Sequence, residues 1–177
     1  RFGGPRAANL GCRVAARVET GLGGDAVGLT AIDGVGPNRA RTLASAGLAT
    51  PADVLDVGPS GVVAAGVSES VAERVVANAR ELPVIAVDWG DFPESIAAGE
   101  NDLREVTVRT TAGSARAGVR VTVNGREMTR TASYLGEETV PVGVFGGDAT
   151  DLTYAVTVVF PDLPLPPVER TRTVRVV

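Results

Sequence analysis

The chain has 177 residues, 44% of them hydrophobic, and carries 21 acids against 17 bases; every base is Arg, and neither Lys nor His occurs. Without Lys there is no Walker A phosphate loop and no Schiff-base chemistry of the lyase-type DNA glycosylase kind, and without His the usual zinc sites and Ser-His or Cys-His catalysis are unavailable. A single cysteine, Cys12, excludes an intrachain disulfide and fits a reducing compartment, so a cytoplasmic location is expected, and no apolar run has the length of a membrane span.

Residues 5–22 read as one helix, with Pro5 in its first turn and Gly21 as its stop. Ala7, Leu10, Val14 and Val18 recur at helical spacing and predict an apolar face. Arg6, Arg13 and Arg17 form a stripe beside it, which reads either as a row following a nucleic-acid backbone or as a solvated flank. The segment 1–27 is the only basic part of the chain, with four Arg against two acids; it begins at Arg1, not Met, which fits a piece of a longer protein.

Residues 29–43 predict two short helices joined at Gly34-Val35-Gly36. The glycines permit unusual backbone angles and close approach of a phosphate, and Pro37 suits the first position of the second helix. The N–H groups at that helix start, with the helix dipole, make an anion site. Leu29, Ile32, Ala40 and Leu43 are spaced to close a small core that Val35 plugs, while Asn38, Arg39 and Arg41 lie near the anion site. The pattern resembles the helix-hairpin-helix family, which binds the nucleic-acid backbone without reading sequence. Asn38 departs from it, because many members carry a basic residue there. A hairpin kept for packing or protein contact is the competing reading.

A repeat follows at an offset of 32 residues, aligning Gly34–Ala40 with Gly66–Ala72. Thr50 and Asp53 predict a capped linking helix, Val62 to Ala65 a helix before the second hairpin, and Ser68 a capped helix running to about Glu81 with Val71, Val75 and Ala79 inward. The second copy lacks the second Gly, the Pro and the Arg, and places Glu69 at the anion position, so it is expected to be structural. Residues 28–83 therefore read as a double helix-hairpin-helix domain.

From residue 84 the pattern changes to alternating Val/Thr/Arg runs. Seven strands are predicted at about 84–89, 103–110, 118–124, 126–132, 137–145, 151–160 and 168–177, with a hairpin turn at Asn124-Gly125. An all-β, immunoglobulin-like sandwich over 84–177 is the expected fold, with Trp89 in its core and residues 161–167 as a stiff Pro-rich connection that also suits a Pro-recognising groove. The close acid pairs Asp88/Asp91, Glu137/Glu138 and Asp148/Asp151 read as solvated loop acids rather than metal or acid–base sites. No catalytic residue, metal or cofactor is expected in these 177 residues.

The order of the parts adds a second resemblance. An Arg-bearing helix, the run RVETGLGGDAVGLTAIDGVGPNRARTLASAGL over residues 17–48, a second hairpin and a β-sandwich resemble the C-terminal accessory module of ski-two-like superfamily-2 helicases. The resemblance implies that residues 1–27 end a helical ratchet domain, with Arg13 and Arg17 on the helix that crosses the strand channel. It also implies motor domains upstream that use ATP and Mg, and a fragment that guides single-stranded or unwound DNA or RNA without hydrolysing ATP. A protein partner on the β domain is a further implied possibility. The Lys-free acidic composition resembles that of salt-loving archaea, although a GC-rich codon bias produces the same pattern. The alternative function is a protein–protein interaction adaptor, which the acid excess favours mildly because most nucleic-acid binders are basic.

Overall fold

The computed structural model describes residues 4–147 and 151–177, and resolves them into a helical part followed by an all-β part. Helix α1 (Pro5–Thr20) begins with Pro in its first turn and ends where Gly21 turns left-handed at φ 70°. A 3-10 helix (Gly24–Ala31) then leads into the first hairpin, so the first of its two short helices is not α-helical. Helix α2 (Pro37–Ser45) follows the hairpin. The stretch α3 (Pro51–Ala64) consists of two helical pieces, as expected, separated by a break at Gly58, which is non-helical at φ 63° and ψ −171° and is followed by Pro59. Its start carries a complete capping box: Asp53 N–H donates to Thr50 Oγ1 at 3.2 Å, and Asp53 Oδ2 accepts from Thr50 N–H at 2.8 Å. Helix α4 (Glu69–Arg80) closes the unit.

Leu29, Ile32, Val35, Ala40, Leu43, Val54, Val62, Ala72, Val75 and Ala79 are buried together and form the helical core. These are small or medium side chains, so the helices approach closely and each residue has little slack in volume. Leu82 packs against this core and against that of the β part, joining the two.

The β part is a two-sheet sandwich. One sheet has the order β1-β3-β6, formed by β1 (Val84–Asp88), β3 (Asn101–Ala112) and β6 (Glu137–Phe145). The other has the order β2-β8-β7-β4-β5, formed by β2 (Ser95–Ile96), β8 (Val168–Val176), β7 (Asp151–Val159), β4 (Arg116–Val123) and β5 (Arg126–Tyr134). The strand absent from the sequence-based expectation is β2. It spans two residues, too few for any alternation to show, and it pairs parallel to β8 while β1 pairs with β3 in the other sheet. That switch between sheets, with β3 and β6 paired on one side and β4 and β7 on the other, is the connectivity of an immunoglobulin-like sandwich. Asn124 and Gly125 both have positive φ, 47° and 80°, as the tight β4–β5 turn requires. Trp89 is half-buried and meets Phe92 edge-on at 5.2 Å; Phe92 in turn meets the fully buried Tyr154 at 4.9 Å.

Helix α1 departs from expectation. Its apolar residues do not face inward: Leu10, Val14 and Val18 are 61%, 47% and 82% exposed. The buried side is instead polar, carried by Asn9 and Thr20. The two N–H groups of the Asn9 amide are shared among three carbonyls at and just before the Pro-rich connection, Phe160 at 2.8 Å, Leu163 at 3.0 Å and Leu165 at 3.0 Å. Gly118 makes room for the start of the helix, because a Cβ there would lie 2.4 Å from Pro5 Cβ. Residues 161–167 thus serve as a dock for α1 within the chain.

Candidate nucleic-acid interface

The first hairpin is built by two neighbouring glycines with different duties. Gly34 has φ 82°, a conformation that disfavours side chains. Gly36 is the N-cap of α2 with φ −78°, which any residue adopts, and a Cβ built on it meets nothing within 4 Å. The fold alone therefore does not require glycine at position 36. No side chain caps α2, and the N–H groups of Gly36, Asn38 and Arg39 have no intrahelical acceptor at a helix start. They open onto a surface left bare by Gly36.

The predicted site residues separate by role in the structure. Val35 is 4% exposed and belongs to the core. Arg39 is exposed and returns one N–H to Gly34 O at 2.6 Å, bracing the hairpin. Arg41 is committed: its Nε donates to Thr20 O at 2.8 Å at the end of α1, and a terminal N–H donates to Asn38 Oδ1 at 2.9 Å. Arg41 and Asn38 therefore fix α2 to α1. Arg13 is half-buried and donates to Gly24 O at 3.3 Å, whereas Arg17 is exposed. Six of these eight residues, Gly34 to Arg41, share one hairpin, and the Arg41–Thr20 bond ties that hairpin to the helix bearing Arg13 and Arg17.

The second hairpin keeps the frame and changes the surface. Gly66 has φ 97° and Val67 is 8% exposed. Ser68 occupies the N-cap of α4, but its side chain makes no capping hydrogen bond, contrary to expectation. Its backbone is extended at φ −65° and ψ 149°, so the position has cap geometry without the cap bond. Glu69 follows, exposed in the first turn.

The chemistry elsewhere is spare. Burial, and then the charge of Asp162, raise the Cys12 thiol above its ordinary value, the opposite of an activated nucleophile. Among the described residues no group of three His, Cys, Asp or Glu side chains is placed to hold a metal, and no helix is long and apolar enough to cross a membrane. Asp91 pairs with Arg104 at 2.5 Å, Asp88 accepts from Gly90 N–H at 2.9 Å, and Glu138 accepts from Ser133 Oγ at 3.1 Å. Asp148 lies outside the described residues.

No curated protein matches the chain. Among solved structures, the CARDB domain of a Pyrococcus furiosus protein, crystallised with di-metal ions, is 19% identical with a TM-score of 0.44, over 54% of this chain and 94% of that one. A Listeria innocua beta-glucosidase is 13% identical with a TM-score of 0.35, over 53% of this chain and 16% of that one. A Jonesia denitrificans lytic polysaccharide monooxygenase is 11% identical with a TM-score of 0.35, over 48% and 58%. Residues 27–81 match the family model described as a SAM-like helix-hairpin-helix tandem, and this matched stretch is followed by the immunoglobulin-like β-sandwich.

Proposed function

We infer that the first hairpin holds the sugar-phosphate backbone of a nucleic acid without reading its sequence. The observation that carries this reading is Gly36. The fold tolerates a side chain there, so the bare backbone beside three N–H groups without an intrahelical acceptor is explained by close approach of an anion. Arg39 adds charge at the rim, and Arg17 lies on the helix that Arg41 ties to the hairpin. The test is anisotropy of a labelled single-stranded oligonucleotide across a salt series. A backbone grip predicts affinity that falls with salt and varies little with sequence. Salt-independent binding, or none at low salt, overturns it.

The wider reading places this chain in an ATP-dependent DNA or RNA helicase, as a module gripping the strand beside the motor. Its support is the order of parts together with the uncovered apolar stripe of α1. Leu10, Val14 and Val18 are exposed although the opposite side of the helix is docked by hydrogen bonds, as expected of a helix shared with a larger helical body. The same stripe favours a second reading, a protein-interaction adaptor whose contact surface is α1. Leu10→Ser with Val14→Ser separates them: an adaptor loses its protein contact and the hairpin keeps its oligonucleotide affinity.

A further inference from the structure

A cleft of about 230 Å³ opens between the first hairpin and α4. Gly34 and Arg39 form one wall and Arg74 and Asn78 the other, over the side chain of Val75. The walls are held together, since Asn78 Nδ2 donates to Asp33 O at 2.9 Å. Arg39 spends one N–H on Gly34 O. Arg74 is exposed and makes no hydrogen bond or ion pair with the described residues, where the ion pairs are Arg104–Asp91, Arg104–Asp102, Arg120–Glu127 and Arg130–Glu127, all in the β part. Asp33 is the one carboxylate lining the cleft, and it pairs with neither Arg within 4.0 Å. Two Arg residues and one Asp therefore line this small cleft, giving it a net positive lining beside the first hairpin. Guanidinium forks match the oxygens of a phosphate, and an anion between them relieves their mutual repulsion.

The geometry points to a second anion site in this cleft, taking a phosphate group of the nucleic-acid backbone between Arg39 and Arg74. It rests on the reading that the first hairpin grips that backbone, and it adds a residue from the second repeat. Position 74 aligns with Thr42 in the first copy, so the repeat itself does not foreshadow a cation there. The second hairpin unit then contributes to binding through its helix rather than through its loop.

The experiment compares the whole chain with Arg74→Gln and Arg80→Gln, the latter removing an exposed charge of the same helix that does not line the cleft. The readout is affinity for a labelled single-stranded oligonucleotide over a salt series. Arg74→Gln is expected to bind about three- to tenfold more weakly and to flatten the log–log salt slope by about 0.7, the loss of one phosphate contact on a single strand. Arg80→Gln is expected to match the parent, and Arg74→Lys to recover most of the slope. With a methylphosphonate oligonucleotide, whose backbone is neutral, Arg74→Gln and the parent are expected to bind alike. The cleft site is overturned if Arg74→Gln and Arg80→Gln behave alike while Gly36→Glu abolishes binding. It is also overturned if Arg74→Gln weakens the methylphosphonate complex as much as the charged one. If Arg74→Gln weakens binding and Gly36→Glu does not, the cleft stands and the hairpin reading falls.

Discussion

The two hairpins share a skeleton and differ in what they offer to solvent. Gly34 and Gly66 take the same left-handed turn, at φ 82° and 97°, and Val35 and Val67 plug the same kind of hole, 4% and 8% exposed. Those positions are held by backbone angle and by packing, and both copies keep them. Across the next positions the first copy has Gly36, Pro37 and Arg39, and the second has Ser68, Glu69 and Val71. None of the three first-copy residues is buried. The repeat thus separates what folding demands from what the surface does, and the separation is cleanest at Gly36, where a side chain would meet nothing. Neither helix start receives a side-chain cap. The asymmetry therefore rests on Glu69 against Pro37 and on the Arg pair beside the first hairpin, not on a hydroxyl satisfying the second.

The sharpest way to break this comparison is Gly36→Glu. A carboxylate at the first helix start repels the phosphate, so oligonucleotide affinity should fall by more than about tenfold, while stability changes by less than about 1 kcal/mol because the position has ordinary angles and open space. Anisotropy with circular dichroism checks both, and an equal loss on altering the second hairpin would remove the distinction. Next comes Arg13→Glu with Arg17→Glu, expected to weaken binding by roughly three- to tenfold and to lower the salt slope by up to about 1.4. Unchanged affinity across the titration would leave α1 as scaffold only.

Asn9→Ala sharpens the comparison from the side of the scaffold. It removes three hydrogen bonds to Phe160, Leu163 and Leu165, and should cost about 1–3 kcal/mol in urea denaturation. A drop in affinity with the hairpin intact would show that docking of α1 sets the spacing between its Arg residues and the first hairpin. The smallest effect is expected from Glu69→Ala. Removing that charge leaves a helix start without the Arg pair, so affinity should change by less than about twofold. A large gain would mean that the second hairpin is a masked site.

Much of the fold was legible because its signals are local. The Gly-Val-Gly-Pro run, the Thr50–Asp53 box, the Asn124-Gly125 turn and the Val alternation of β4, β6 and β7 each act within a few residues, through backbone angles, capping bonds or side-chain period. The helical-then-β organisation follows from them. The site was legible as a hairpin, but the roles within it were not. Whether Arg41 faces a ligand or the end of α1 depends on where Thr20 O lies, 21 residues away in sequence.

What the sequence determined by itself was the positions of the helices and of the longer strands, and the hairpin that bares its backbone. What only the tertiary structure decided was which surfaces meet. Helical spacing shows that Leu10, Val14 and Val18 lie on one face, but not that this face stays exposed. That outcome depends on Asn9 reaching carbonyls more than 150 residues away, because a buried amide must be paired and the Pro-rich connection supplies the acceptors. The two-residue β2 and the cleft joining Arg39 to Arg74 have the same origin. Each is a juxtaposition of distant segments, and periodicity describes a segment's faces without naming the neighbour that covers them.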